Sequence, residues 1–536
     1  MTSILAVTSE AFPLAKSGGL GDAVSGMALA LREAGMDVTI MLPAHAGVLE
    51  RVAGAREISR LPDLPGGPAT LLSGVCRGLD VPLLLFRNDS LYEREGLYAD
   101  AQGREYSDNA LRFAALSHAA ARAAAGTPRT APADIVHLHD WHTALVPLLL
   151  EAREGRRPRS VLTLHNLAFQ GAFPKESAPA LGLSPHVLDG VLDGERINFL
   201  KAGIRHADRI TTVSRTYARE ILTPRFGCGL ETLLQARRAD LAAIPNGIDD
   251  GLWDPARDPH LGGKNFHRGD LGNKTACKAL LQRAFGLEPD PGATLVALGS
   301  RITTQKMADL AVEALPLALQ AHPDLQVAAI GRGDRPLEQA LLGVAESHPG
   351  RCGVRIGFDE AEAHRLHAGA DLLLHGSRFE PFGLTPLYAM RYGTVPIGSR
   401  VGGMADTIAD PGPWAGEEAM RQASGLLFEG ETCAAMLAAI DRAMALRRRP
   451  AVWRAIQRNA MAADFSWRRA APAYAALFRS LLPAPERQQA PARSAAVQAL
   501  AAAASVARMR PGLAAHRTRE LGPAELPAGG PRPAAA

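Results

Sequence analysis

Short, continuous apolar runs alternate with longer helical stretches along most of this chain, and that alternation narrows the fold more than any other feature. In the first half the runs are "ILAVTS", "DVTIMLP", "VPLLLF", "DIVHLHD", "SVLTLHN" and "RITTVS". They lack the regular polar–apolar alternation of half-exposed strands, which predicts parallel strands covered on both faces. Between them lie patterns such as "DAVSGMALALREAG", where Val24, Met27, Ala28 and Leu31 share one helical face and Gly35 marks a stop. This is the grammar of βαβ units. The turn-rich stretch "AIPNGIDDGLWDP" (243–255) interrupts it. It then restarts with "TLVALGS", "LQVAAIG", "GVRIGF", "ADLLLHG" and "TVPIGS". The expected fold is α/β, with two doubly wound Rossmann-like domains, 1–245 and 246–465, facing across a cleft. In such sheets ligands bind beyond the carboxyl ends of the strands, where every motif discussed below falls.

A chain of 536 residues with 47% hydrophobic and 21% charged content suits a multidomain globular protein. No apolar stretch runs far enough to span a bilayer, and "MTSILAVTSE" has no basic region before its apolar run, so it reads as a first strand rather than a leader. Cys76, Cys228, Cys277, Cys352 and Cys433 form no CxxC pair, which predicts reduced thiols and a cytoplasmic protein. Residues 483–536 hold seven arginines, no lysine and three glutamates, which accounts for the whole formal net charge of +4. The body is therefore neutral and carries no nucleic-acid footprint. The segment itself, rich in Ala, Pro and Arg, is expected to be disordered, with one short alanine-rich helix around 494–508.

The loop "PLAKSGGLGDA" (13–23) sets Lys16 beside Gly18, Gly19 and Gly21. Glycines permit a tight turn and close approach of a ligand, and the lysine favours an anionic one. A dinucleotide site is disfavoured, because Val24 holds the third glycine position and the second strand ends in Pro-Ala-His instead of an acid. In "HLHDWHTAL" (137–145), His137 and His139 share a strand face, but no further ligand set with metal spacing follows. Asp140 is better suited to accept hydrogen bonds from sugar hydroxyls. His165 and Asn166 end the next strand in "LTLHNLAFQG". In the second half, "GSRITTQKM" places Arg301 and Lys306 beyond a strand, a pair of cations suited to a diphosphate whose charge grows as a bond breaks. "GSRFEPFGLTPLYAM" follows a strand with Glu380, then opens a helix at Gly383, Leu384 and Thr385, whose free N–H groups favour an anion. "VGGMADT" (401–407) gives another glycine turn, with Asp406 expected to start a helix.

As a set, "KSGGLGD", "HDWHTAL", "THNLAFQG", "VSRTYAREI", "PNGID", "SRITTQK", "SRFEPFGLTPLYAMRYGTVP", "GGMADT" and "DFSW" resemble bacterial glycogen synthases and plant starch synthases, in family order over 1–482. The resemblance implies a GT-B glycosyltransferase that moves glucose from ADP-glucose to the non-reducing end of an α-1,4-glucan such as glycogen. The anomeric configuration is retained, and no metal or cofactor takes part. It implies that Lys16 and the glycine loop contact the donor, and that Arg301 and Lys306, with the amides of Leu384 and Thr385, stabilise the departing ADP. His165 lies beside the anomeric centre, its carbonyl supporting an oxocarbenium-like transition state. Asp140 and Asn166 hold sugar hydroxyls, Asn246 lies near the hinge, Glu380 orients the glucose, and Phe358 stacks on adenine. Residues 466–482 form a helix crossing back to the first domain, and domain closure expels water.

Three departures from the family pattern stand out: Phe382, which joins Gly383, Leu384 and Thr385 among the expected substrate-binding residues, in place of a cysteine; Met307 in place of a glycine; and no tyrosine in "PAHAGV" (43–48). The Met307 change removes freedom for positive φ. The competing readings are a UDP-glucose enzyme, a sucrose- or trehalose-forming transferase, and a degenerate glucan-binding protein. Tyr388 stands where transferases of the second kind commonly carry a second glutamate. Retention of Lys16, Arg301, Lys306 and Glu380 argues against the third.

Overall fold

The structure, a computed structural model, describes residues 1–155 and 157–483. The segment expected to be disordered, and its alanine-rich helix, lie outside the described residues.

A nine-stranded sheet forms the first domain. From one edge it runs Leu241–Ala243, Arg209–Thr212, Arg159–Leu164, Ile135–His139, Ser3–Val7, Asp37–Pro43, Leu79–Arg87, Ala69–Cys76 and Val52–Leu61. Neighbours are parallel from Leu241–Ala243 as far as Leu79–Arg87, with Ala6 opposite Ile40 on one side and His137 on the other. Every residue of Ile135–His139 is buried, as its unbroken apolar run requires. The last two pairings are antiparallel and form a hairpin that departs from the all-parallel expectation. Its outer strand is mostly exposed and interrupted by bulges, so it carries no continuous apolar run. A further three-stranded sheet is built from Ala172–Pro174, Leu192–Asp193 and Arg196–Asn198.

The second sheet has six parallel strands in the order Cys352–Ile356, Leu325–Gly331, Thr294–Gly299, Leu372–His375, Val395–Ser399 and Leu426–Phe428. Numbered along this half, that order is 3-2-1-4-5-6, the doubly wound arrangement in which the strand direction of travel reverses between the first and fourth strands. The crevice at that reversal opens beyond Gly299 and His375. In the first sheet the equivalent reversal lies between Ser3–Val7 and Ile135–His139, and it opens beyond Val7 and His139.

The helix Trp467–Ser480 lies against Gly19–Glu33 of the first domain. Tyr474 and Phe478 are buried in the first-domain core. A Cβ on Gly26 would sit 2.2 Å from the Trp467 indole nitrogen, so only glycine admits that crossing. Chain passes between the domains twice, and the two passages touch: Ile248 forms a parallel bridge with Ser466, its N–H donating to the Phe465 carbonyl at 2.8 Å. Among the described residues no helix is long and apolar enough to cross a membrane.

Candidate active site

The two crevices face one another, and each gathers the polar residues that end its strands. In the second domain the Thr294–Gly299 strand leads to Arg301 and Lys306, and Leu372–His375 leads to Glu380. The Lys306 ammonium donates directly to the Glu380 carboxylate, and His375 Nε2 lies 3.2 Å from the same oxygen. Burial alone would push the Glu380 carboxyl up, but the Lys306 charge and the His375 hydrogen bond win and hold it at about 2. Burial and the neighbouring ammonium push His375 down, so its imidazole is neutral. Arg301 is exposed, and among the described residues its guanidinium reaches only the Gln305 side chain, at 2.8 Å.

Met307 closes this loop with φ 53° and ψ 31°, the left-handed conformation that its family position usually gives to glycine. Met307 therefore carries the strain of that conformation, while its side chain is buried beneath Ser399 and Gly376. Gly383 (φ 88°) caps the helix Leu384–Arg391 and needs its glycine for the same reason. The first-turn amides of Leu384 and Thr385 have no intrahelical acceptor and carry the positive end of the helix dipole. Phe382, expected at the substrate, is 4% exposed and belongs to the apolar core cluster. Asp406, expected to open a helix, sits in the last turn of Gly402–Thr407 and accepts from Thr216 of the first domain at 2.7 and 2.9 Å. Phe358 stands 75% exposed.

In the first domain, Asp140 follows the Ile135–His139 strand with φ 56°, a strained conformation for a residue with a side chain. Its Oδ1 accepts the backbone N–H of His165 at 2.7 Å and of Asn166 at 3.3 Å, which joins two neighbouring strand ends. Burial raises the Asp140 carboxyl to about 7 against those two bonds. The Asn166 side chain caps its own loop by accepting from Ala168 N at 3.1 Å. His165 is half-buried, and its Nε2 lies 3.0 Å from His139 Nδ1. Asn246 is buried near the crossing, its side-chain oxygen without a partner among the described residues.

The glycine loop differs in detail from its sequence reading. Gly18 is extended and Gly19 already opens the helix Gly19–Glu33, so no left-handed turn is involved. A Cβ on Gly19 would lie 2.8 Å from Leu384 Cδ1 of the second domain, whereas Gly18 borders open space. The N–H groups of Ser17 and Gly18 donate to Glu10 at 2.7 and 3.3 Å. Lys16 Nζ stands 3.1 Å from Asp22 and 3.2 Å from Glu360, which opens the second-domain helix Glu360–Gly369. Burial raises the Asp22 carboxyl to about 6 even though Lys16 opposes it. Sequence reasoning passed over Glu10, Asp22 and Glu360, since lone acids at strand ends and helix starts look like ordinary caps. His375 carried a signal, a polar residue ending the apolar run "ADLLLH".

Two families match the chain: the starch synthase catalytic domain over residues 3–236 and glycosyl transferases group 1 over residues 283–460. The glycogen synthase of Bordetella petrii is 60% identical over 493 residues, 92% of this chain and 95% of its own length. The chain belongs to the glycogen and starch synthase family. The glycogen synthase of Ralstonia nicotianae is 53% identical over 482 residues, 90% of this chain and 88% of its own. The catalytic domain of starch synthase IV from Arabidopsis thaliana, solved with ADP and acarbose, aligns at a TM-score of 0.80 and 28% identity. That alignment covers 90% of this chain and 99% of the other. A sucrose-phosphate synthase from Thermosynechococcus elongatus, with a TM-score of 0.53 and 17% identity, shares the fold alone. The two facing doubly wound domains are the GT-B arrangement of the glycosyltransferases in this family.

Proposed function

We propose that this chain is a cytoplasmic glycogen synthase that transfers glucose from ADP-glucose to the non-reducing end of an α-1,4-glucan with retention of configuration. The observation that carries the reading is the contact of Lys306 with an ionised Glu380 at the second-domain strand reversal. An ammonium beside the departing diphosphate stabilises charge that appears only as the glycosidic bond breaks. Arg301 and the Leu384 and Thr385 amides add donors to the same group. A carboxylate whose pKa is about 2 is a weak base and nucleophile, so Glu380 serves to accept sugar hydroxyls rather than to attack. Opposite it, the second Asp140 oxygen, which has no hydrogen-bond partner among the described residues, accepts further hydroxyls, and the His165 carbonyl supports the positive charge that develops at the anomeric carbon.

Lys16 is the first-domain contribution to the diphosphate, Phe358 covers the adenine, and Asn246 sits at the hinge. Asn166 acts through its backbone tie to Asp140, and Phe382 acts through packing that sets Gly383. We also take 1–245 and 246–465 as the two functional domains, joined by the 466–482 helix. The test is glucose incorporation into glycogen from labelled ADP-glucose and UDP-glucose, with wild type beside Lys306→Ala and Glu380→Ala. Incorporation from ADP-glucose that is lost in both variants supports the reading. Preference for UDP-glucose corrects the donor, and glucan binding without incorporation from either overturns the enzyme assignment.

A further inference from the structure

His139 is buried in the strand that precedes Asp140, and its ring makes one hydrogen bond: Nδ1 lies 3.0 Å from His165 Nε2. Its Nε2 is sealed from solvent with no partner among the described residues. The backbone on either side is pinned, since His139 N donates to Thr143 Oγ1 at 2.9 Å and the Thr143 hydroxyl returns a bond to the His139 carbonyl at 3.2 Å. His137 supports the ring from beneath, 4.3 Å away between centroids, and is itself held by Thr163 at 2.7 Å. Among the described residues the His139 ring therefore has one hydrogen-bonding partner.

Burial pushes both imidazoles far down, His165 to about 3, so both rings are neutral and one proton lies in the bond between them. Two arrangements satisfy that bond. If His165 donates from Nε2, neutral His139 must carry its proton on Nε2, a buried N–H with no acceptor. If His139 donates from Nδ1, only a lone pair is left at its Nε2. Orphaned buried N–H groups are the rarer and costlier of the two. In the second arrangement His165 accepts at Nε2 and carries its own proton on Nδ1, the nitrogen that has no partner among the described residues and is not sealed.

We propose that His139 is a positioning residue that fixes His165 as its Nδ1–H tautomer, so that the imidazole offers a hydrogen-bond donor to the sugar in the cleft. The other nitrogen's partner decides which face of a histidine is donor and which is acceptor. A free histidine would sample both tautomers, and in the Nε2–H form its Nδ1 would offer the sugar a lone pair instead of a donor. The inference rests on the glycosyltransferase reading for its consequence, but the tautomer itself is measurable without turnover.

The first measurement is nitrogen-15 NMR of the full chain labelled at histidine, with the His165 signals identified by their loss in His165→Ala. A protonated Nδ1 and an unprotonated Nε2 are expected, with tautomer averaging in His139→Leu. A protonated Nε2 in the wild type overturns the proposal whatever the activity. The second is kinetics of glucose transfer. His139→Leu is expected to lower kcat roughly tenfold to a hundredfold through misdirected donor geometry, with KM for ADP-glucose little changed. His139→Asn keeps an N–H at the Nδ1 position and is expected to restore most of the rate. Equal loss in the two variants, tracking a common loss of thermal stability, would mean that His139 only packs. If His139→Leu does not fold, the wild-type spectrum and His139→Asn still decide. A wild type inactive with every donor defeats the functional reading and leaves the tautomer result standing.

Discussion

Lys16 of the first domain and Glu360 of the second meet across the cleft at 3.2 Å. The lysine proposed to receive the donor's diphosphate is thus already answered by a carboxylate, with Asp22 at 3.1 Å on its other side. An incoming diphosphate competes with Glu360 for that ammonium. Glu360→Gln is expected to tighten ADP binding by up to about fivefold, the scale of a half-exposed ion pair. Calorimetric titration with ADP reads this directly, and unchanged or weaker binding would show that Lys16 is not contested.

Met307 offers a test of backbone strain. Met307→Ala removes a buried side chain and keeps the left-handed φ of 53°, whereas Met307→Gly removes slightly more side chain and relieves the strain. The glycine variant is expected to be the more stable of the two by about 1 kcal/mol. That reverses the usual order of these residues, and urea denaturation of the pair would reveal it. Alanine being the more stable would place the strain elsewhere.

Asp140 links activity to pH. Its folded pKa of about 7 lies above the roughly 3.9 of an unfolded aspartate, so the protonated form binds more tightly in the native state. The stability it contributes is full below about pH 4 and is lost as pH rises through about 7. The acceptor that the sugar needs, however, is the ionised form. The rate constant kcat/KM is expected to fall as pH drops below about 7. Asp140→Asn should abolish that limb along with most activity, and raise the melting temperature more at pH 8 than at pH 4. A melting temperature that falls equally at both values would contradict the burial argument.

Glu380 behaves oppositely. Its folded pKa of about 2 lies below the unfolded value near 4.3, so its contribution is present above about pH 4 and fades as pH falls through 2. Glu380→Gln strands the Lys306 ammonium in a buried site. The expected cost is about 3 kcal/mol at pH 7, shrinking in acid. Stability curves of the two proteins between pH 7 and pH 2 should converge, and parallel curves would sink the assignment.

The parallel part of both sheets was legible because strands covered on both faces must be largely apolar, as "DIVHLHD" and "LQVAAIG" are. The Val52–Leu61 hairpin strand escaped because an exposed, bulged edge needs no apolar pattern. Candidate site positions such as Arg301 and Glu380 were expected because strand ends at a topological reversal are where ligands bind in such sheets. Partnerships were not legible. That Glu10 takes the glycine-loop amides, or that Glu360 reaches Lys16 from 344 residues away, follows from tertiary geometry with no local trace. Phe382 was read at the ligand because it is a substitution inside a functional motif, and its burial in the core cluster left no trace in the local sequence.

The paired passages at Ile248 and Ser466 have a mechanical meaning. Two chain segments crossing side by side, bonded to one another, resemble the pins of a door more than a single tether. A single linker would let the halves swivel freely, whereas two adjacent pins leave one easy axis of swing. A swing about that axis would return Gly19 to Leu384 and Lys16 to Glu360 without a search over orientations. Alignment of the two halves is thus set by a buried crossing of the backbone.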